Sequence, residues 1–453
     1  MIDNVFHAHI LPKLLAHKII LAFAGEGAIQ RTADAFEQLG VPKSQLFGLI
    51  GQNEAAERVG LDIAYTFVPL PECTLAFEIR AYHNALTQLS AVHMADIDKF
   101  DPEGKAIVIG PFWFSLPTVA GRRVFGFRRP KWILYEDKCA VSAIWDKAGI
   151  VQAKSTVVPV SSLRNGLPEG WAYPLVISGD SSNGMTGGGS HVRAIHSDAQ
   201  LEAQLGFFED DCEQLRLMDY VDGTSCSIHG VVLEHTVLSS IPIEMVVVPR
   251  ADGKFIYMGA STHWAPSPSE LTHLQDIVQR VGAALRDDAD FRGTFTIDGV
   301  FKAGQFYPTE INTRAGAGIF ALYGPAQLSY YLLDLMLKDA QDIPIDPARF
   351  QEWMWDIAQG SRSTRAWGGA DIDGPVPNEK HALVFQSGEW IRIADDSDGA
   401  STLTISEGRT GAFLQIYVAS DTLEAGELLL PYVKAAMHYS DKQWHTQFLS
   451  IES

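Results

Sequence analysis

The chain is poor in cysteine, has no long apolar run and carries too little positive charge to balance its acids. Its four cysteines, Cys73, Cys139, Cys212 and Cys226, stand far apart in 453 residues and form no C-x-x-C pair. Neither a thiolate zinc site nor a disulfide framework follows from that spacing, and buried reduced thiols are the simplest reading. No stretch of about 18 consecutive apolar residues occurs, so no membrane-spanning helix is expected. Met1 to His9 lack the basic start and apolar core of a secretory signal, which makes a cytoplasmic protein the expectation. Lys plus Arg number 35 and Asp plus Glu 55, a formal net charge of −20. Such a balance argues against nucleic acid or an anionic membrane as the main partner. Internal repeats and low-complexity tracts are also missing.

What is present is ordinary globular material. Of the residues 46% are apolar and 20% charged, enough to bury a sizeable core, and the length suits about three domains. The run Lys18 to Ala24 reads as a buried strand, and Gly25-Glu26-Gly27 turns it into a helical pattern from Ile29 to Leu39, a β-turn-α unit of a parallel sheet. The two glycines alone make a weak dinucleotide fingerprint, because Gln30 fills the third glycine position. His7 and His9 have no third ligand nearby, so no metal is expected there. A helix pattern covers Ala76 to Val92, and Ala106 to Gly110 reads as a second buried strand. The basic cluster from Gly121 to Lys131 reads either as a solvated loop or as a ledge for a phosphate or carboxylate. Glu136-Asp137-Lys138 opens a helix pattern that runs to Ala148, with a new strand from Ile150.

Two stretches further on carry the chemistry. Tyr173 to Ile177 and Val192 to Ile195 are β runs flanking a loop with five glycines between Gly179 and His191. Bare backbone N–H groups in such a loop, at Gly187, Gly188 and Gly189 above all, can close over phosphates where a Cβ would block the approach. Later, Phe295 to Phe301 and Gln305 to Asn312 are apolar runs separated by Lys302-Ala303-Gly304, the signature of a hairpin. In it Asp298, Glu310 and Asn312 can converge at one end, with Glu310 and Asn312 on one face of their strand. Three oxygen-bearing side chains on one wall suit a hard divalent cation, and Arg314 adds a fixed fork for a carboxylate or phosphate. The plain alternative is a half-buried hairpin with ordinary polar residues.

The string Asp298, then Glu310-x-Asn312-x-Arg314, preceded by the glycine loop, resembles the ATP-grasp superfamily of Mg-ATP-dependent carboxylate ligases. The resemblance covers roughly residues 1 to 340. It implies that Asp298, Glu310 and Asn312 carry Mg²⁺, that Arg314 holds the acyl phosphate or donor carboxylate, and that Lys138 reaches the nucleotide phosphates. Leu215 to Gly223, read as an edge strand and turn, resembles the hinge that receives adenine, which implies nucleotide contacts from Met218, Asp219, Tyr220, Val221 and Asp222. One departure stands out: the strand before the glycine loop ends in Ser178 where the family has an ATP-binding lysine. Lys154, His191 and Arg193 are the substitutes the sequence offers. More loosely, the Arg-rich turn followed by Glu-Asp-Lys resembles the pheganomycin-type peptide ligases of specialised metabolism.

The resemblance implies a multidomain α/β and α+β protein. A Rossmann-like pre-ATP-grasp domain would span 1–134, an ATP-grasp domain 135–340 in two parts (about 135–214 and 215–340), and a small α+β domain 341–453. In that last region strands alternate over 381 to 418 and a helix pattern runs from Leu423 to Met437; Arg362 and Arg365 either reach the substrate or brace the fold. The activity implied is ADP-forming ligation of a carboxylate to an amine, with ATP and Mg²⁺, small-molecule substrates and a possible homodimer. The alternatives are acyl transfer to another acceptor, such as a hydroxyl, or an ATP-binding regulatory protein that has lost ligation.

Overall fold

The computed structural model describes residues 9–448 apart from 54–59, 72–74, 185–188, 251, 341–342, 361–363, 371, 373, 394–399, 409–410, 420 and 425. Four β-sheets follow one another along the chain. The first has six strands in the spatial order Ala64–Leu70, Leu46–Asn53, Ile19–Ala24, Ile107–Ile109, Arg122–Val124 and Thr118–Val119, parallel except for the last. Ile19-Ile20-Leu21-Ala22 is buried throughout because helices cover both faces. Ile19 and Leu21 meet Ile29, Ala33 and Phe36 of the helix Glu26–Gln38. Ile20 and Ala22 face Tyr82 and Ile97 from the helices Leu75–Thr87 and Ala91–Phe100. The expected single helix over Ala76 to Val92 is thus two, divided at Ser90, whose hydroxyl caps the second through the His93 N–H.

An antiparallel sheet of four strands comes next, in the order Ser155–Pro159, Gln214–Asp219, Leu175–Gly179 and Val192–Ile195. The helix Asp198–Asp211 covers it with Leu201, Leu205 and Phe208. Gln214–Asp219 is an interior strand, not the edge strand expected from the sequence, since both Ser155–Pro159 and Leu175–Gly179 pair with it. The helix pattern read from Glu136 to Ala148 also differs. Only Ser142–Lys147 is α-helical, because the Asp137 carboxylate accepts the backbone N–H groups of Cys139 and Ala140 and turns the chain before the helix starts. The strand expected from Ile150 begins at Ser155.

The third sheet has six strands. Phe255–Ser261, Ile243–Pro249, Thr224–Val232, Gly293–Lys302 and Gln305–Asn312 run in that order, with Val237–Ser239 beside Thr224–Val232. The helix Pro268–Ala289 lies across it, started by a Ser267/Glu270 capping box with Pro268 in its first turn. Its Leu274, Ile277, Val281 and Leu285 bury against Ile228, Phe295 and Ile297. Behind the acidic hairpin, Gln327–Lys338 joins a core shared with the first sheet. The helix Pro347–Gly360, within the stretch expected to begin the last domain, puts Phe350, Met354 and Ala358 into the same core.

The last sheet runs Arg365–Ala370, Gly411–Tyr417, Ser401–Gly408, Glu379–Gln386 and Glu389–Arg392. The helix Leu430–Trp444 packs on it, seven residues later than the pattern starting at Leu423. Pro431 sits in the first turn, where its missing N–H costs nothing. The helix start is also anchored from outside: the Glu244 carboxylate of the third sheet accepts the N–H groups of Leu429 at 2.7 Å and Leu430 at 2.9 Å. Val246, Val248 and Met258 of that sheet share the last sheet's core.

Burial pushes the Glu244 carboxyl up to about 7, against the pull of those two N–H donors. A folded-state value above the ordinary carboxylate range means that its ionisation on folding is disfavoured. Its stabilising contribution is therefore full at acid pH and lost as pH rises through about 7. Glu244→Gln removes that titration, so the melting temperature of wild type should fall relative to the variant between pH 5 and pH 8; a constant difference across that range would contradict it.

Candidate functional site

The site is built on the hairpin Gly293–Lys302 and Gln305–Asn312. Its turn residues Ala303 and Gly304 have φ of 49° and 81°, both left-handed, the geometry that matches the twist of the strands it joins. Register places Asp298 directly across from Glu310 and Thr296 across from Asn312. Between Asp298 and Gly299 the ladder slips, leaving Thr309 as an extra residue opposite. This bulge frees the Thr309 carbonyl from the ladder.

Asp298 and Glu310 are half-buried, and the Glu310 side chain is 28% exposed, so solvent reaches the pair. The Ser227 hydroxyl, from the neighbouring strand, donates to Asp298. Lys138 Nζ lies 2.8 Å from Glu310 Oε2. Burial and the Glu310 charge push the Asp298 carboxyl up. Burial acts on Glu310 in the same direction, but Lys138 outweighs it and holds that carboxyl low. Asn312 lies beside both, its amide nitrogen 3.2 Å from Asp298 Oδ2 and 3.4 Å from Glu310 Oε1. Its amide oxygen accepts from Arg314 at 2.7 Å. The five residues Lys138, Asp298, Glu310, Asn312 and Arg314 therefore meet in one place.

Glu136, which sequence reasoning treated only as the start of a helix, holds this cluster from behind. Its carboxylate lies 2.6 Å from Arg128 and 3.6 Å from Arg314 Nε, and accepts the Thr313 N–H and hydroxyl. Burial works against its charge, but Arg128 and Arg314 keep the carboxyl below the usual range. The basic cluster is correspondingly a solvated loop only in part, with Arg123 and Lys131 exposed and Arg122 and Arg128 buried. Arg122 is buried on Asp101, Arg128 on Glu136, while Arg123 pairs with Asp339 and Arg129 with Asp290. Glu136 is eight residues from Arg128, but the other acidic partners come from distant positions, which a reading of local charge runs does not reveal.

The strand pair that carries the glycine loop belongs to the four-stranded sheet, which touches the hairpin through Arg216 and the Thr309 carbonyl. Gly187 and Gly188 lie outside the described residues; Gly189 has φ of 70°, in the left-handed region that favours glycine. The two sides of the loop are tied to one carboxylate. Asp211 takes both Arg80, at 3.0 Å, and His191, at 2.6 Å, and Arg80 also donates to Gly184 O at 3.3 Å. Arg80 comes from a helix of the first sheet's layer.

Ser178 is buried at the end of its strand. The three substitutes considered for it are engaged elsewhere. Lys154 sits over the Trp171 ring at 4.5 Å, His191 is on Asp211, and Arg193 binds Gln204 and the Ser190 carbonyl. Directly across the ladder from Ser178 is Arg216, a residue the sequence reading missed. A lone arginine inside the apolar strand Leu215-Arg-Leu-Met218 was the available signal. Met218 is buried, Asp219 and Asp222 are exposed, and Tyr220 and Val221 are half-buried in the passage from the second sheet to the third.

The donors suit a hard divalent cation beside phosphate: two carboxylates in direct opposition, an adjacent amide, and flanking Lys138 and Arg314. Among the described residues no group of three or more His, Cys, Asp or Glu side chains is placed to hold a metal, so the amide or a bound phosphate must complete any shell. Arg314 Nε faces the Glu136 carboxylate at 3.6 Å, beyond hydrogen-bond distance.

No family model matches the sequence, and no curated protein matches it. Solved structures do match. An L-amino acid ligase from Bacillus licheniformis is 14% identical with a TM-score of 0.51, over 95% of this chain and 99% of that one. A carboxyaminoimidazole ribonucleotide synthase from Aspergillus clavatus, complexed with ATP, is 15% identical with a TM-score of 0.52, over 92% and 98%. The biotin carboxylase domain of a Hydrogenobacter thermophilus 2-oxoglutarate carboxylase, holding MgADP and bicarbonate, is 14% identical with a TM-score of 0.54, over 95% and 90%. The chain has the ATP-grasp fold. Among the described residues, no helix is long and apolar enough to cross a membrane.

Removing one partner from a buried charge cluster typically costs about 3–5 kcal/mol, because the others stay behind uncompensated. Glu136→Gln should therefore destabilise strongly in urea unfolding. Arg128→Met added to it should recover part of the loss, since one of the two stranded cations goes. A double variant as unstable as the sum of the single changes would show that Glu136 and Arg128 do not act as a pair.

Proposed function

We propose that the chain is an ADP-forming carboxylate-amine ligase that activates a carboxylate as an acyl phosphate and joins it to an amine, making a peptide or amide bond between amino-acid-like substrates. The observation that carries this reading is the meeting of Asp298, Glu310, Asn312, Lys138 and Arg314 at one end of a bulged hairpin. It is supported by solved structures of similar fold that include an L-amino acid ligase. In this reading 1–134 is the pre-ATP-grasp domain, 135–340 the ATP-grasp domain and 341–453 a C-terminal α+β domain.

ATP would lie with its adenine against the backbone of Met218 to Asp222, Asp219 or Asp222 taking the ribose hydroxyls, and its outer phosphates under Gly187, Gly188 and Gly189. Mg²⁺ would be held by Asp298 and Glu310, with the Asn312 amide oxygen turned toward them, and would neutralise phosphate charge. A substrate carboxylate oxygen attacks the γ-phosphorus, the bond to the β-phosphate oxygen breaks, and ADP leaves. Lys138 stabilises the transferring phosphoryl group, and Arg314 grips the planar acyl end. The amine then attacks the acyl carbon and displaces phosphate, losing a proton as the amide forms. No side chain needs to become a covalent nucleophile. Closure of the glycine loop would keep water from the acyl phosphate. A non-ligating ATP-binding protein is the second reading, and Ser178 in place of the lysine is the observation that favours it.

The test is nucleotide turnover with Mg-ATP and pooled carboxylates and amines. ADP and phosphate should form only when both substrate classes are present, and Asp298→Asn with Glu310→Gln should reduce the rate at least about a thousandfold, the scale set by losing preorganised charge stabilisation. AMP and pyrophosphate as products would sink the acyl-phosphate route, and tight ATP binding without turnover on any pool would favour the second reading.

A further inference from the structure

Arg216 is a cation that the residues around it do not use up. It lies in the middle of the four-stranded sheet, is 4% exposed, and is held below its ordinary basicity by burial. One guanidinium nitrogen donates to the Thr309 carbonyl at 2.5 Å, the carbonyl that the hairpin bulge releases. Nε has no hydrogen-bond partner. No carboxylate forms an ion pair with it among the described residues, although Glu310 and Asp137 are close enough to favour its charge. A buried guanidinium without a paired anion and with an unspent N–H is costly in a protein interior, and such a group commonly marks a place where a ligand supplies the missing acceptor.

Its position says which ligand group that is. In an antiparallel ladder residues directly opposite one another project from the same face, so Arg216 and Ser178 share one face. Ser178 stands one residue before Gly179, where the glycine loop begins. Along its own strand, Arg216 is two residues from Met218, the start of the proposed adenine hinge. Its third neighbour is Thr309, adjacent to Glu310. Arg216 is therefore bounded by the hinge, the loop root and the acidic pair, on the nucleoside side of the cation site. We infer that Arg216 binds the α-phosphate of the nucleotide and supplies, from the next strand, the positive charge that Ser178 lacks. The serine's small side chain leaves the face open for the long arginine. This inference rests on the nucleotide reading of the site given above.

Calorimetric titration of ATP, ADP, AMP and adenosine, with Mg²⁺ present, tests it. Arg216→Gln keeps a donor for Thr309 and removes the charge. It should weaken ATP, ADP and AMP by a similar factor, about tenfold to a hundredfold for a charge-assisted phosphate contact, and leave adenosine unchanged. Adding Ser178→Lys to Arg216→Gln should restore most of the loss, because it returns an ammonium to the same face. Should the glutamine variant fail to fold, Arg216→Lys carries the test, with a loss of about threefold or more for AMP and none for adenosine, since a point charge replaces a fork. AMP affinity equal to wild type in the folded variant, or an equal loss for adenosine, would overturn the assignment while leaving ATP binding by the wild type intact. Failure of the wild type to bind ATP at all would instead overturn the nucleotide reading on which it stands.

Discussion

Two carboxylates set face to face across one rung of a β-ladder repel each other, and the arrangement persists only where positive charge or donors surround it. Much of the surrounding architecture answers to this constraint at Asp298 and Glu310. Lys138 is brought to Glu310 from before the second sheet, Ser227 donates from the adjacent strand, and the Asn312 amide leans across both. The imbalance is not fully compensated, since the Asp298 carboxyl is pushed up. A protein selected for stability alone would have little use for that pair; a hard cation and the phosphates it brings would resolve it.

A second layer of charge makes the first possible. Glu136 binds Arg128 on one side and Arg314 on the other, while Asp334 and Lys338 form another buried pair whose charges are felt at Arg128. Asp334 also accepts the Thr294 N–H on the hairpin's first strand, at 2.6 Å. The fork of Arg314 is thus aimed by contacts that reach back to the helix Gln327–Lys338. Such an arrangement fixes a side chain more tightly than a loop could, as the role proposed for Arg314 would require.

Which parts of this were legible in the sequence follows from how local each signal is. The hairpin was readable because alternating apolar runs, a turn glycine and the i, i+2 rule lie within twenty residues of one another. Residues that act through long-range pairing were not. Arg122 and Arg123 read as charges in a basic run, although Asp101 and Asp339 hold them from 21 and 216 residues away; Arg216 went unread inside an apolar strand, because its neighbour Ser178 stands on the strand beside it. Helix boundaries failed for a related reason: Asp137 bends the chain with a side-chain bond, and Glu244 anchors a helix start 185 residues away. Neither partner is visible from helical periodicity.

The glycine loop shows how the same logic extends to motion. In the function proposed above the loop opens for ATP and closes during chemistry, which calls for an anchor that fixes its root. Asp211 meets that need: it binds His191 after the tip, while Arg80, which it also binds, reaches Gly184 before the tip. Because Arg80 belongs to a helix packed on the first sheet, the loop root is referenced to that layer and not only to its own strands. Displacement of that helix would therefore be felt at both sides of the loop at once. A single carboxylate shared between an arginine and a histidine makes this coupling stiff at the root, and Gly189, with its left-handed backbone, has no heavy atom within 4 Å of where a Cβ would stand.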